Sequence, residues 1–422
     1  MNRIVEGPLR GLLLACLCWL PAGLAGAAHK TENVVLIVSD GLRWQEMFSG
    51  VDPGLLGEHG GNWMHEQEMR KRYWSEDPQE RRHRLFPFVW DSFAKHGQIF
   101  GNQLRGSVAK VSNGKAFSYP GYNEMTTGFP NDAIDSNEYG PNPNKTVFEW
   151  LNESPGFKGR VAVFGTWDAY HRIFNIGRSH LPIQAGWDLP RATGVRPYDD
   201  LLRRLFQTTT HFDEEDLPNS LLQPPLLDYV RRNHPRVLFV GYGETDNWAH
   251  QGRYDAVLDA AKRTDGFVRE LWQTMIPATQ YRDKTTFIFT CDHGRGAADQ
   301  WREHGVEERV RKHLDRRDGP RHEGAGASSG HGAVTQAQIA ATIAALLERD
   351  FPKACREYPH HRRAVAGPLS PARRAPSAGG TASLRARRAR CGASRRFLYY
   401  HRDITNLGPG PGTTSPCAAS GR

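Results

Sequence analysis

Four short runs along the chain are almost wholly apolar: NVVLIVSD at 33–40, RVAVFGT at 160–166, RVLFVGYG at 236–243 and TTFIFTCD at 285–292. They are rich in β-branched residues and do not alternate apolar with polar. That pattern belongs to strands covered on both faces. Helical patterns lie between them: TVFEWLNES after Asn144, YDAVLDAAKRTDGFVRELWQTM at 254–275 and TQAQIAATIAALLERD at 335–350. Alternation of this kind predicts an α/β fold, a central mostly parallel sheet with helices on both faces. The stretch 50–90 is polar, aromatic and marked by Pro and Gly, and reads as an insertion over one edge of the sheet. There are no internal repeats.

The two ends differ from the body. Arg3 and Arg10 precede and flank an apolar stretch, GLLLACLCWLPAGLAG, followed by Ala25-Gly26-Ala27. This is the layout of a secretory signal, with cleavage expected near Ala27 or Ala28. The run is short for a membrane span and contains Pro21, so no span is expected after cleavage. The expectation is therefore an exported protein, periplasmic or extracellular. At the other end, residues 353–422 carry 14 Lys/Arg against 2 Asp/Glu. That local +12 exceeds the net charge of +9, so the rest of the chain is about −3 and its body is not basic. Of six cysteines, Cys16 and Cys18 fall in the signal and Cys355, Cys391 and Cys417 in the tail. Cys291 alone remains, so the body does not depend on disulfides. The division expected is signal 1–28, one large domain 29–350, and a low-complexity tail 351–422 that is disordered or translated out of frame. A basic arm for nucleic acid or anionic membrane is the alternative reading of the tail. The body has no matching basic motif, and no nucleic-acid partner is expected.

Three of the four predicted strands end near acids: Asp40 in VSDG, Asp246 in GETDNWAH and Asp292 in CDHG. In open α/β sheets, ligands bind beyond the carboxyl ends of the strands. Asp246 and His250 are four residues apart, which places them on one face of a helical turn. A carboxylate and an imidazole there suit a zinc ion. Asp292-His293 lies where a strand turns, and His304 follows in WREHG. Between the first and third strands, KAFSYPGYNEMTTG presents Ser118 on a predicted Pro/Gly bend. A serine is a weak nucleophile unless a base or a metal activates it.

The order is Asp after the first strand, Ser before an aromatic-Pro turn ending in Thr-Gly, then Asp-x-x-x-His, Asp-His-Gly and His-Gly. It resembles the alkaline phosphatase superfamily, nearest its phosphodiesterase/nucleotide pyrophosphatase and phosphoglycerate mutase-like metalloenzyme branches. The resemblance covers about 32–305 and resumes at 333–350. It implies a two-metal phosphoric ester hydrolase acting through a phosphoserine on Ser118. One ion would be held by Asp246, His250 and His304, the other by Asp40, Asp292, His293 and the Ser118 oxygen. Two such ions about 4 Å apart clamp an in-line displacement. The nitrogen-and-oxygen donors favour Zn2+, with Mn2+ as the alternative. The resemblance further implies an amide donor to the phosphoryl group, for which Asn137 is the candidate and Asn142 and Asn144 are rivals. Lys115 either touches phosphate or is solvated. Tyr119, Tyr122, Trp44 and Trp248 either stack on an aromatic leaving group or pack. The sequence after Ser118 lacks the arginine of a sulfatase, and no counterpart of a monoesterase's arginine clamp is evident. A small phosphate ester or nucleotide substrate follows, with a diester slightly favoured over a monoester and the oligomeric state left open. A pseudo-enzyme or binding protein on the same fold is the alternative.

The segment 306–330, VEERVRKHLDRRDGPRHEGAGASSG, is charged where the resemblance implies an apolar strand. Lys312 to Gly326 can be reverse-translated so that the frame one nucleotide later reads Asn-Ile-Trp-Ile-Ala-Val-Met-Gly-Pro. The expectation is a frameshift here, restored near 328–333. A short helix burying Val306, Val310 and Leu314 is the alternative. Resequencing the gene decides between them, since an intact frame removes the first.

Overall fold

The computed structural model describes residues 31–61, 66–304 and 333–351, together with the backbone of 399–400. The expected frameshifted segment, the signal and nearly all of the tail lie outside the described residues.

Nine strands are present among the described residues: β1 (Asn33–Ser39), β2 (Gly97–Gln98), β3 (Ala109–Lys110), β4 (Val161–Gly165), β5 (Ile183–Ala185), β6 (Val237–Tyr242), β7 (Thr285–Thr290), β8 (Val334–Thr335) and β9 (Tyr399–Tyr400). The main sheet runs β2-β9-β7-β1-β6-β4-β5, and β3 pairs separately with β8. Five consecutive strands, β7-β1-β6-β4-β5, are parallel, as the unbroken apolar runs require. All four predicted strands are among them. The strand β1 is the axis, pairing over six residues with β6 on one side and with β7 on the other.

Alternation along these strands divides the core. Val34, Leu36 and Val38 join Val161, Val163 and Phe239 on one face, while Val35 and Ile37 join Phe164, Val240 and Phe287 on the other. Each such side chain is essentially fully buried, which stabilises the fold by about 1.5–3 kcal/mol apiece. Helices cover both faces. Tyr254–Met275 spans the predicted boundaries, whereas the pattern at 335–350 narrows to a helix over Gln338–Leu346. The stretch 50–90 contributes to the core. Its helices Glu66–Tyr73 and Pro78–Leu85 bury Met69, Tyr73 and Leu85 in the same apolar cluster as Val35 and Leu258. Their charged residues mask the few apolar positions that matter. Helices Arg196–Thr208 and Asn219–Asn233 were not foreseen. The second contains Pro224 and Pro225, residues that ordinarily argue against a helix interior.

Candidate metal centre and nucleophile

The carboxyl ends of β1, β6 and β7 open onto one place. Asp40 follows β1, Asp292 and His293 follow β7, and Asp246 sits on the helix Glu244–His250 just beyond β6. Because these strands are neighbours in register, residues more than 200 positions apart in sequence become adjacent.

Ser118 is not on a bend. It is the first residue of a ten-residue helix, Ser118–Thr127, with Pro120 in the first turn. Proline is tolerated there because the missing N–H would have no intrahelical partner. Two glycines let the elements close up. A Cβ at Gly121 would lie 2.5 Å from the Asp292 carbonyl oxygen, so a larger residue would push the serine's helix off the end of β7. Gly41 has φ +58° and its amide donates to Asp292 Oδ1 at 3.0 Å. A Cβ on it would overlap Asp246.

Ser118 Oγ lies 3.2 Å from His293 Nε2. That nitrogen is 3.3 Å from Asp40 Oδ1, 3.5 Å from Asp292 Oδ2 and 3.7 Å from Asp246 Oδ1. One donor atom each from Asp40, Asp292 and His293 falls within 4.8 Å of the others. Asp40 Oδ1 and Asp292 Oδ2 are buried and make no hydrogen bond. Buried polar atoms in native proteins nearly always have partners. Two converging orphan carboxylate oxygens beside an imidazole are therefore the donor set of a cation site, and a divalent ion fits it.

The electrostatics agree. Burial, then repulsion from Asp40, pushes the Asp292 carboxyl well above the usual range. Burial alone would lower His293, but Asp292, Asp40 and Asp246 surround it and raise it to about 10. A proton on His293 thus offsets carboxylate charge that an ion would otherwise neutralise.

Asp40 is aimed by a buried relay that sequence reasoning missed. Tyr170 donates to the Tyr122 hydroxyl at 2.7 Å, and Tyr122 donates to Asp40 Oδ2 at 2.8 Å. Tyr122 and Tyr119 are wholly buried, so neither can stack on a leaving group. The missed signal was the spacing of Tyr122 from Ser118, four residues on one helix, which puts it on the serine's own face.

Asp246 and His250 meet as their spacing implied, Oδ2 to Nε2 at 3.1 Å. The His304 ring lies 4.9 Å from that of His250 and 5.0 Å from that of His293, centre to centre. Burial, then the His293 cation, lowers His304 to about 4. Among the described residues, Asp246, His250 and His304 do not close into a three-donor group as Asp40, Asp292 and His293 do. Arg295 intervenes, its Nη2 bonded to Asp246 Oδ1. Burial would raise the Asp246 carboxyl, but Arg295 and His250 hold it far below the usual range. Sequence reasoning passed over Arg295. Its position two residues beyond His293 was the available signal.

The remaining candidates separate by their bonds. Asn137 Oδ1 accepts the Tyr119 backbone N–H at 3.0 Å, which sets its amide at the start of the serine's helix. Asn142 and Asn144 both donate to Asn123 Oδ1 inside a loop network. Lys115 Nζ donates to the carbonyls of Asp132 and Ile134, which makes it a loop tie. Trp248 stacks on Phe212, with ring centres 5.5 Å apart. Trp44 lines a mostly apolar groove of about 160 Å³ that also touches Phe48, Phe289, Cys291, His293 and Gly294.

No protein-family model matches the chain, and no curated protein matches it. Among solved structures, it is similar to the lipoteichoic acid synthase LtaP from Listeria monocytogenes, at 12% identity over 76% of this chain and 73% of that one, with a TM-score of 0.43. A phosphonate monoester hydrolase of Agrobacterium radiobacter is similar at 13% identity over 75% and 74%, with a TM-score of 0.39. So is an alkaline phosphatase from the Antarctic bacterium TAB5, at 12% over 76% and 99%, with a TM-score of 0.37. Likeness at this level leaves function to be read from the side chains.

Proposed function

We propose that this chain is an exported, metal-dependent phosphoric ester hydrolase that works through a phosphoserine on Ser118. The observation that carries the reading is Ser118 Oγ at 3.2 Å from His293 Nε2, beside two buried carboxylate oxygens that make no hydrogen bond. The order of the motifs and their resemblance to the alkaline phosphatase superfamily support it. Export rests on residues 1–28 alone. Among the described residues no helix is long and apolar enough to cross a membrane.

Asp40, Asp292 and His293 would hold a divalent ion, Zn2+ by preference, which would supply a Lewis acid to favour the serine alkoxide and polarise the phosphoryl oxygen. The chain's own groups do the rest. Ser118 loses its proton to solvent and attacks phosphorus. The Oγ–P bond forms as the bond from phosphorus to the leaving oxygen breaks, and that oxygen keeps the electron pair. Water then cleaves the Ser118–phosphorus bond and restores the serine. The helix beginning at Ser118 directs its amide end, which carries partial positive charge, toward the bound anion. Asn137 Nδ2, oriented by the bond its Oδ1 accepts from Tyr119, is the amide donor to the phosphoryl group. The groove beside His293 suits an organic substituent, which favours a diester or nucleotide.

Hydrolysis of p-nitrophenyl phosphate and bis-p-nitrophenyl phosphate, with and without added zinc, tests this. The expected result is zinc-dependent release, faster from the diester, that falls by at least about a thousandfold in Ser118→Ala. Release that survives in Ser118→Ala overturns the phosphoserine. No release from folded, zinc-loaded protein favours a binding protein or pseudo-enzyme.

A further inference from the structure

Among the described residues, Arg295 is a cation of the centre that no motif assigned. Its side chain is 1% exposed. Nη2 bonds Asp246 Oδ1 and also donates to the Asp246 carbonyl at 3.2 Å, while Nη1 bonds the Arg302 carbonyl. Nε is buried beside Gly41 with no acceptor. The other oxygen of Asp246 is taken by His250. Both carboxylate oxygens are thus engaged, in contrast to the two orphans on Asp40 and Asp292.

From this we infer that Arg295 takes the place of a second metal ion. The centre binds one divalent ion tightly, at Asp40, Asp292 and His293. A second ion at Asp246 would have to displace a buried guanidinium and leave that charge without its partner, which is strongly unfavourable. A guanidinium is permanently charged and holds its donors in a fixed fork. Arg295 is thereby a positioning residue that supplies fixed positive charge without exchange or loss. The inference rests on reading Asp40, Asp292 and His293 as a metal centre, but not on Ser118 chemistry.

The test counts metal and does not use turnover. The full chain, stripped by chelator, is dialysed against Zn2+ and then against metal-free buffer, and retained zinc is measured per chain. One equivalent is expected for the wild type and for Arg295→Lys, and two for Arg295→Met. In Arg295→Met the second equivalent should bind at least about tenfold more tightly than in wild type, which corresponds to about one charge-assisted hydrogen bond. Asp246→Asn offers a second arm should Arg295→Met fail to fold, and it should keep the single equivalent. Two tight equivalents in wild type, or loss of zinc in Asp246→Asn, overturns the proposal. No retained zinc in any variant overturns the metal centre and this proposal with it, whereas one equivalent without hydrolysis leaves it standing and removes only the proposed reaction.

Discussion

The two halves of the centre are built differently. Asp40, Asp292, His293 and Ser118 hang from the ends of β1 and β7 and from a helix pressed against them, and all four are buried. Asp246 and His250 sit on a seven-residue helix, and His304 on the loop after Trp301. The His250 side chain is 43% exposed. A strand paired on both sides cannot move its last residue without breaking a ladder, so β1 fixes Asp40. A short helix and a loop lack that restraint. The first half is accordingly preorganised with orphan oxygens aimed inward. The second satisfies its charge internally, through Arg295. Donor residue types alone do not make a metal site. The scaffold behind them decides whether the donors wait for an ion or settle on one another.

The sharpest way to break this contrast is to remove one donor from each half. Asp292→Asn should abolish retention of zinc by the full chain and lower phosphoester turnover by at least about a thousandfold, since it removes a ligand of the tight site. His250→Ala should retain its zinc and lose at most about tenfold in turnover, because its partner Asp246 stays paired with Arg295. Metal content and turnover measured together check both. Equal losses in the two variants would put the halves on the same footing.

Most of this arrangement was legible in the sequence, and the exceptions have physical causes. The β1, β4, β6 and β7 strands announced themselves because strands buried on both faces must be apolar throughout. Asp40, Asp292 and His293 were legible because parallel strands deliver their ends to one place. The Ser118 helix was read as a bend because Pro120 and Gly121 suggest turns, yet in a first helical turn they permit an N-terminus and a close approach. The helices at 66–85 were missed because burial of a few residues such as Met69 and Leu85 outweighs a charged surrounding pattern. The pairing of Arg295 was not legible for another reason. Its partner Asp246 is 49 residues away, and only the strand order brings them together.

A smaller effect follows from the tyrosine relay, which belongs to the first half alone. Tyr122→Phe keeps the buried ring and removes the hydroxyl that orients Asp40. Zinc affinity should fall by about 10–100-fold, the usual effect of removing a partner that orients a ligand. The change also leaves the Tyr170 hydroxyl without its acceptor, which should cost about 1–3 kcal/mol. Adding Tyr170→Phe should recover stability without recovering affinity. Calorimetric zinc titration and thermal unfolding separate these effects, and recovery of both together would mean that the relay acts only through packing.

The most discriminating difference is in proton linkage of the metal-free protein. His293 has its folded pKa raised to about 10, above the value of about 6.5 for an unfolded histidine. The folded state therefore holds this proton more tightly than the unfolded one does. Its contribution is complete below about pH 6.5 and is lost as pH rises toward 10. His304 has its folded pKa lowered to about 4, so the sign reverses. Its contribution is complete above about pH 6.5 and is lost as pH falls toward 4. Denaturant midpoints of wild type minus His293→Asn should thus decline on the alkaline side, and those of wild type minus His304→Asn on the acid side. The second slope should be the shallower, since His304 is only partly buried and solvent screens it. It should shrink further in a His293→Asn background, because the His293 cation is the second cause of the His304 shift. If both differences sloped the same way, the two histidines would share one environment, and the division between a preorganised and a self-satisfied half would fail.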